Sequence, residues 1–410
     1  MKKNIFLLYF VQASNYLFPL LTLPYLMRVL GAEHFGIMAM VQAWIQYTII
    51  FVDYGFNFSA TLMIAKNKEN QFLLNKIYTE TTISKLLLFL IFFLAAVVYS
   101  LVFGLDIYVK LFFCGMFAVL GTVFFPIWLF QGLEKMQGIV VSTTIAKCFS
   151  LIAVFLLVRD SNDIDLAIFS QSLGMFVSGI IAMVYIRKNK MVAFTKCRLP
   201  DVLASLKGGF DLFISNITIS FYTTLNVIII GYFAGPVYAG YFSAADKLRV
   251  AAQGLLTPVQ QALFPRVSSL VTKGADFKEI LSLYGQKFIL FGLFVSVSIA
   301  VVGYPVSLFY FSEEYRVASS ILLLMSPLPF IVSIGIVFGQ WWLITNDHTA
   351  VVRNTYISIS ILHIIMAIAL IHYAPVYGVT ISVLLTETII SCLFIRYCYR
   401  LAKQNNSLAK

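Results

Sequence analysis

The stretch LLLFLIFFLAAVVYSLVFGL (residues 86–105) contains no charged residue. At a rise of 1.5 Å per residue, such a stretch forms a helix about 30 Å long, the thickness of the hydrocarbon core of a bilayer. Other uncharged runs cover residues 111–133, 166–186, 288–312, 317–346 and 354–386. The whole sequence is 60% hydrophobic and 11% charged, whereas soluble domains are about 45–50% apolar and about 25% charged. A fold of 410 residues cannot bury this much apolar surface from water, so the sequence predicts an integral membrane protein.

Segmentation of the chain predicts an all-α membrane protein with about twelve transmembrane helices. The predicted spans 1 to 12 are residues 5–28, 37–65, 80–104, 110–132, 139–158, 164–187, 208–233, 238–268, 286–311, 317–344, 350–372 and 376–399. The first span follows two lysines, as a signal peptide would, but its uncharged run is too long for a signal core. We therefore expect it to remain as a helix.

The basic residues orient these spans, because Lys and Arg are retained on the cytoplasmic side of a membrane. With both termini cytoplasmic, the predicted outside loops carry only Arg28, Lys110, Arg159 and Arg316 of the 29 basic residues. Three more, Lys147, Lys247 and Arg249, fall inside predicted spans, and the remaining 22 of the 29, Lys85 among them, lie on the inside. The net charge of +11 is thus explained by orientation, and we expect no binding of nucleic acid.

The longest polar stretch, residues 187–207, separates the first six predicted spans from the last six. Two short similarities connect the halves: GAEHFG (31–36) with GPVYAG (235–240), and Phe124 and Trp128 with Phe338 and Trp342. We therefore predict an N-terminal six-helix lobe at residues 1–190, a cytoplasmic linker at 191–207 and a C-terminal six-helix lobe at 208–410. Because each lobe has an even number of spans, both would share one orientation, with a cleft between them.

Charged residues inside the predicted spans are candidate site residues, because a charge in hydrocarbon costs at least about 2.5–3.5 kcal/mol. They are Asp53, Lys147, Asp246, Lys247, Arg249 and Glu387. At 100° per residue Asp246 and Arg249 share a face of their helix, whereas Lys247 points elsewhere. Two interpretations stay open: a cationic lining for an anionic ligand, or structural ion pairs that hold helices together. For Asp53, local capping or pairing is favoured.

Histidine and catalytic motifs complete the sequence-based candidates. His363 is the one histidine near the middle of a predicted span, where a hydrogen-bonded core role is more common than proton transfer. No phosphate-binding loop, zinc-protease motif, nucleophile elbow or dinucleotide fingerprint occurs in the sequence. We therefore expect a transporter rather than an enzyme, without a cofactor or a metal site, and with its energy supplied by an ion gradient or by the substrate supply.

Several motifs resemble the O-antigen and polysaccharide flippases (Wzx type) of the multidrug/oligosaccharidyl-lipid/polysaccharide exporter superfamily. They are PYLMRVLG (24–31), FG (35–36), DYGFNFSAT (53–61), GYFSAADKL (240–248), Pro258 and ALFPR (262–266). The resemblance extends along the whole chain and implies two lobes of the MATE type. It also implies a bacterial inner-membrane protein that moves an undecaprenyl-diphosphate-linked oligosaccharide from the cytoplasmic to the periplasmic leaflet by alternating access.

This resemblance implies a cationic cavity, to which we assign Lys247, Arg249, Lys147, Arg28 and Asp246. Coupling to H⁺ or Na⁺, for which Asp53, Glu387 and His363 are the candidates, and contact with polysaccharide polymerase machinery are further expectations.

Three alternative functions compete with this one. A multidrug or cation antiporter of the same superfamily is the main one, and a membrane glycan polymerase or ligase is disfavoured by the short outside loops. The twelve predicted spans leave no room for the two additional helices of a peptidoglycan-precursor flippase. The sugars, the coupling ion, the oligomeric state and the host do not follow from the sequence.

Overall fold

The computed structural model describes the backbone of residues 2–311 and 313–408 and, within them, the side chains of residues 14–401 other than 211, 215, 216 and 272. All regular structure in these residues is helical. The prediction of an all-α membrane protein is therefore confirmed.

Contacts within the chain divide it into two compact units, Met1–Ser220 and Phe221–Lys410. The first unit holds α1 (Lys2–Asp53), α2 (Phe56–Lys66), α3 (Gln71–Phe103), α4 (Ile107–Phe124), α5 (Ile127–Gly132), α6 (Met136–Leu157), α7 (Ile164–Lys188) and most of α8 (Leu199–Thr223). The second unit holds α9 (Leu225–Phe233), α10 (Pro236–Gln253), α11 (Leu256–Thr272), α12 (Phe277–Ile280), α13 (Gln286–Ser298), α14 (Tyr304–Tyr310), α15 (Arg316–Met325), α16 (Leu328–Gly335), α17 (Thr349–Ile371) and α18 (Pro375–Leu408). The lobe and linker boundaries given above stay a prediction.

Wider helical turns connect several helices of the second unit without a loop. They are π-helical and cover Leu281–Gly285, Ile299–Gly303 and Ile336–Ile344. The segment Phe277–Tyr310 is consequently one continuous apolar helix that is long enough to cross a membrane.

Side-chain caps and prolines explain many of the helix ends. Asn70 and Asp106 accept hydrogen bonds from the backbone N–H groups of Leu73 and Val109, which begins α3 and α4. Pro126 ends α4, because proline cannot donate to the carbonyl of Thr122. Pro258 has the same effect on Gly254, so the predicted span 8 is divided into α10 and α11 rather than being one helix.

The first glycine of each G-x4-G motif breaks a helix in the same way. Gly31 has φ 70° and ψ 174° inside α1, and Gly235 has φ 100° and ψ 165° immediately before α10. This conformation is essentially restricted to glycine. The two breaks place equivalent turns at equivalent points of the two units.

Nine helices of the described residues are long and apolar enough to cross a membrane, or ten if the bent pair Leu199–Phe210 and Leu212–Thr223 is one span. One of the nine, Ser14–Lys66, has 53 residues, which at 1.5 Å each is about 80 Å and far exceeds one bilayer crossing. It contains residues 14–28 of predicted span 1 and all of predicted span 2, and Gly31 lies between them. The number twelve and the side of the termini stay predictions.

Apolar side chains lie both inside the helix bundle and on its outside. In the first unit Phe56, Trp128 and Phe130 are fully buried between α2, α3 and α5. The outward face of α3 exposes Leu94, Leu101 and other large apolar residues. Lipid covers such a face in a membrane protein.

Candidate functional site

An ion pair on α10 forms the centre of the candidate residues in the second unit. The guanidinium of Arg249 donates to Asp246 Oδ1 from Nε at 2.8 Å and from Nη2 at 2.7 Å, and Nη1 donates to Gln253 Oε1 at 2.6 Å. The spacings i, i+3 and i, i+4 place these three side chains on one helix face. Arg249 is held with its charge largely matched by Asp246.

A second carboxylate lies near this pair. Glu387 on α18 is close enough to Arg249 for their charges to attract each other. Lys247 is half-buried and interacts electrostatically with Asp246. We call Asp246, Lys247, Arg249 and Glu387 the α10–α18 cluster. If all four groups are ionised, the cluster carries no net charge, so it is not a simple cationic lining.

His363 lies in a fully buried hydrogen-bond network that joins three helices of the second unit. Its Nε2 is 2.8 Å from Asn226 Oδ1 on α9, and its Nδ1 is 2.8 Å from Thr386 Oγ1 on α18. Asn226 in turn donates from Nδ2 to the carbonyl oxygen of Tyr222 at 2.9 Å. This arrangement supports the core role proposed for His363 from the sequence.

The hydrogen-bond directions fix which ring nitrogen carries a proton. Because Nδ2 of Asn226 is used as a donor, its Oδ1 must accept, and Nε2 of His363 carries the hydrogen. Nδ1 then accepts from the hydroxyl of Thr386. That hydroxyl is also 2.7 Å from the carbonyl oxygen of Ser382. If it donates its hydrogen to this carbonyl, its oxygen can accept a hydrogen bond from Nδ1 of a doubly protonated ring. The network can satisfy the imidazole with one proton or with two.

Two aromatic rings connect this network to the α10–α18 cluster. Tyr222 and Tyr356 are stacked with their centroids 6.1 Å apart and their planes at 8°. The charge of Glu387 acts on both phenol groups. Thr386 precedes Glu387 in α18, so the histidine network and the cluster meet at one place on that helix.

In the first unit Asp53 pairs with Lys85, a residue that sequence reasoning missed. Lys85 Nζ is 2.7 Å from Asp53 Oδ1 and donates to the carbonyl oxygen of Thr122 at 2.6 Å. That carbonyl lacks its helical partner, because the residue four positions on is Pro126. Asn57 also donates to Asp53 Oδ2, at 3.2 Å. The ammonium group therefore satisfies two otherwise unpaired groups at once.

Lys85, which was counted with the cations of the inside segments, lies within a helix and not in a loop. The side chain of Lys85 is 2% exposed, and α3 begins at Gln71, well before it. The uncharged run begins only at residue 86, so hydropathy places Lys85 at the helix end. One sequence feature could have indicated the role of Lys85: Asp53 lies in another predicted span, and a buried carboxylate needs a counter-ion.

Lys147 has a different environment from the other candidate cations. It lies half-buried on α6, and its Nζ donates to Oδ1 of Asn15 on α1. No carboxylate of the described residues pairs with it. Lys147 therefore keeps an uncompensated charge beside a neutral amide.

Arg28 does not join Lys147. It is exposed on α1, and it follows Asn15 by thirteen residues, which is about 20 Å along a helix. The two cations are too far apart to bind one phosphate. In total, the structure brings Asp246, Arg249 and Glu387 together with His363 nearby, and it leaves Asp53, Lys147 and Arg28 at separate positions.

Within the described residues, no three His, Cys, Asp or Glu side chains lie close enough together to bind a metal ion.

Comparison with known proteins gives consistent matches along the chain. A family model described as "Polysaccharide biosynthesis protein" matches residues 1–271. A "Putative O-antigen transporter" of Shigella dysenteriae is 40% identical over 390 residues, which is 95% of this chain and 98% of the relative. One of the same description from Escherichia coli (strain K12) is 34% identical over 410 residues, 97% of this chain and 96% of the relative.

Solved structures with the same fold include two membrane transporters. "Lipid II flippase MurJ, inward closed conformation" has a TM-score of 0.70 at 13% identity and covers 96% of this chain and 87% of that chain. "Crystal structure of MATE in the bent conformation" has a TM-score of 0.60 at 14% identity and covers 100% of this chain and 97% of that chain. These likenesses concern the fold, and they confirm the predicted MATE-like architecture.

Proposed function

Because the chain belongs to the polysaccharide biosynthesis protein family, to which its match over residues 1–271 and its 40% identity to an O-antigen transporter assign it, we propose that it is a lipid-linked oligosaccharide flippase. The substrate is an undecaprenyl-diphosphate-linked oligosaccharide, such as an O-antigen repeat unit. It is moved from the cytoplasmic to the periplasmic leaflet of the bacterial inner membrane by alternating access. The observation that carries this proposal is the near full-length similarity to O-antigen transporters.

The chemistry of such a substrate divides the task among parts of the protein. A glycan is too polar to cross hydrocarbon, so it needs a polar path between helices. The diphosphate is anionic and requires charged donors. The polyprenyl tail can stay in lipid throughout the movement. The apolar helices provide the lipid-facing surface, and the internal cations provide candidate partners for the diphosphate.

Lys147 is our first candidate for binding the diphosphate. Its charge is not matched by a carboxylate in the described residues, and its partner Asn15 is a neutral amide that a phosphate oxygen can replace. An internal charge that remains unmatched is costly and is usually retained for function. Replacement by glutamine is expected to lower export strongly, whereas replacement by arginine should retain much of it.

The α10–α18 cluster is our second candidate. Arg249 is held by Asp246 and Gln253, so an incoming phosphate must compete with Asp246 for it. Lys247 belongs to the same proposal. Arg28, exposed and distant along α1, is proposed only as a contact for a different part of the substrate.

Energy coupling is proposed through protons or sodium. Glu387 and His363 are the better candidates, because His363 on α17 bonds to Thr386, the residue before Glu387 on α18. Asp53 is engaged by Lys85, which favours a structural role. We propose that the protein is a transporter and not an enzyme, and that polysaccharide polymerase machinery is a partner.

The proposal is tested by deleting the gene in its own host. We expect loss of surface polysaccharide and accumulation of the lipid-linked repeat unit facing the cytoplasm, both restored by the parent chain. The Lys147→Gln variant should fail to restore them at equal membrane abundance. Lys110→Gln, which breaks the exposed pair with Asp165, is the matched control. Unchanged surface polysaccharide in the deletion strain would refute the proposal.

The alternative is a multidrug or cation antiporter of the same superfamily. A deletion strain would then gain drug susceptibility and keep its surface polysaccharide. The same strain therefore separates the two functions.

A further inference from the structure

The chain that follows α7 lies against α3 as an extended strap, which we define as residues 190–195. Side chains spaced four residues apart on α3 form hydrogen bonds with backbone groups spaced two residues apart in the strap. The pairs are Gln71 Nε2 to the carbonyl oxygen of Met191 (2.9 Å), Asn75 Oδ1 to the N–H of Ala193 (2.9 Å) and Thr79 Oγ1 to the N–H of Thr195 (3.0 Å). Four helical residues rise about 6 Å and two extended residues about 6.6 Å, so the two repeats match.

A turn at the end of α7 directs the chain into this strap. The N–H of Met191 bonds to the carbonyl oxygen of Ile186 at 3.1 Å, and that of Lys190 to the carbonyl oxygen of Arg187 at 3.2 Å. This is a Schellman turn, which usually has glycine at the left-handed position. Here Lys190 occupies it with φ 47°, and both Lys190 and Arg187 are exposed.

A cavity of about 850 Å³ lies between the strap, the start of α3 and the end of α7. Most of its wall is apolar and includes Val184, Val192 and Phe194, whereas Arg187 and Lys190 supply its charge. The lining contains no acidic residue, and neither cation forms an ion pair in the described part of the chain.

Two carboxylates of the neighbouring elements are directed to Lys76 and not to the cavity cations. Glu80 and Asp201 lie 3.5 Å and 3.6 Å from Lys76. The cavity is thus an apolar space with two unmatched positive charges, a combination that fits an anionic amphiphile.

We place the cavity near one surface of the membrane from the ends of the helices beside it. The helices α3 and α7 both qualify as membrane spans, and they begin and end beside it, at Gln71 and Lys188. We propose that this cavity binds the phosphate headgroup of an anionic glycerophospholipid of that leaflet. Arg187 and Lys190 contact the phosphate, and the apolar wall takes the glycerol and the first methylenes of the acyl chains. This goes beyond the proposed function and does not depend on the transported substrate.

The polar groups of the lining favour a phospholipid over a glycan headgroup. Gln71 and Asn75 are the amides of the lining, and both are already engaged with the strap. The strap uses Gln71 Nε2 and Asn75 Oδ1, which leaves one polar atom of each amide for sugar hydroxyls. The volume also far exceeds what an inorganic phosphate would fill.

Native mass spectrometry of the purified full-length protein, titrated with phosphatidylglycerol or phosphatidylcholine, tests the proposal. We expect retention of phosphatidylglycerol in preference to phosphatidylcholine. The double variant Arg187→Gln/Lys190→Gln should bind it about 30-fold more weakly, from about 1 kcal/mol per basic residue. The matched control is Lys188→Gln/Lys196→Gln, which removes the same charge from exposed residues outside the lining and should leave affinity within about 3-fold.

A neutral variant tests the cavity itself. Ala193→Phe places a bulky ring in the lining without changing charge and keeps the backbone N–H that binds Asn75, and we expect it to weaken specific retention. All variants should keep the parent's unfolding temperature, because the substituted residues are exposed. Equal losses for both charge pairs, or unchanged binding in Ala193→Phe, would overturn the proposal. If polyprenyl diphosphate binds and phosphatidylglycerol does not, the lipid-binding proposal is also overturned. That outcome leaves the flippase proposal intact.

Discussion

Lys85 Nζ lies 2.7 Å from Asp53 Oδ1, so one ion pair joins the middle of α3 to the end of α1. Immediately after Asp53, Tyr54 (φ 45°) and Gly55 (φ 75°) interrupt the helix. Lys85 also satisfies the carbonyl of Thr122 at the end of α4. One buried ammonium group therefore fixes the ends of two helices.

Replacing Lys85 with methionine should destabilise the protein by about 3–5 kcal/mol, because it leaves Asp53 as a partly buried charge without its counter-ion. The double variant Lys85→Met/Asp53→Asn should recover part of this loss, since no unmatched charge remains. The unfolding temperature of the purified protein in detergent measures both effects.

The exposed pair of Lys68 and Glu134 provides the control. Its side chains are 39% and 67% exposed, so water screens the charges and Lys68→Met should leave stability nearly unchanged. The hydrogen bond from Lys68 holds the pKa of Glu134 below its usual range. The small contribution of the pair is therefore present above the ordinary carboxyl pKa and is lost as the pH falls through the lowered one. Equal losses of stability from Lys68→Met and Lys85→Met would show that the buried pair of Lys85 and Asp53 contributes no more than the exposed one.

The glycines of the two G-x4-G motifs give a second prediction. Gly31→Ala and Gly235→Ala should each destabilise the chain by about 1–3 kcal/mol, because alanine is strained at this positive φ. The position that a Cβ would take has no neighbouring atom within 4 Å at either glycine, so crowding does not contribute. The unfolding temperature in detergent again measures the loss.

Gly208→Ala is the matched control for these glycines. Gly208 also has open space, but it lies within α8 and does not have a positive φ. Alanine favours a helix by about 1 kcal/mol over glycine, so this variant should be neutral or stabilising in the same unfolding measurement. A stabilised Gly31→Ala protein would contradict the role of its backbone conformation.

Features encoded within one helix were predictable from the sequence. Hydropathy predicted the membrane helices, and the i, i+3 spacing predicted that Asp246 and Arg249 share a helix face and can pair. The sequence also related the segments that begin with Gly31 and Gly235, although not the helix breaks at these glycines. Each of these depends on residues that are close in the chain.

Contacts between distant segments were not predictable. Asp53 and Lys85 are 32 residues apart, and Asn226 and His363 are 137 apart. Their pairing depends on how the helices pack and rotate, which periodicity does not fix. For the same reason, the sequence grouped Lys147 and Arg28 in one site, although they lie at different heights of the bundle.

The ion pair of Asp246 and Arg249 separates a structural role from a binding role. If Arg249 attracts the diphosphate, Arg249→Gln should lower export strongly, whereas Asp246→Asn removes a competitor and should retain export. If the pair only holds the fold, the two variants should be equally damaging. Surface polysaccharide, normalised to the amount of protein in the membrane, is the measurement. Gln253→Ala, which removes only the neutral partner of Arg249, is expected to have a smaller effect.

The buried network of His363 gives the last prediction. Thr386→Val removes the hydroxyl that donates to Nδ1 and should cost about 1–3 kcal/mol. Asn226→Ala should cost more, because it removes two hydrogen bonds and leaves the Nε2–H donor unpaired in a fully buried site. Unfolding temperatures give this order. The pH profile of export then tests proton coupling: only a coupling role makes His363→Gln flatten the profile, whereas a purely structural His363 lowers export equally at every pH.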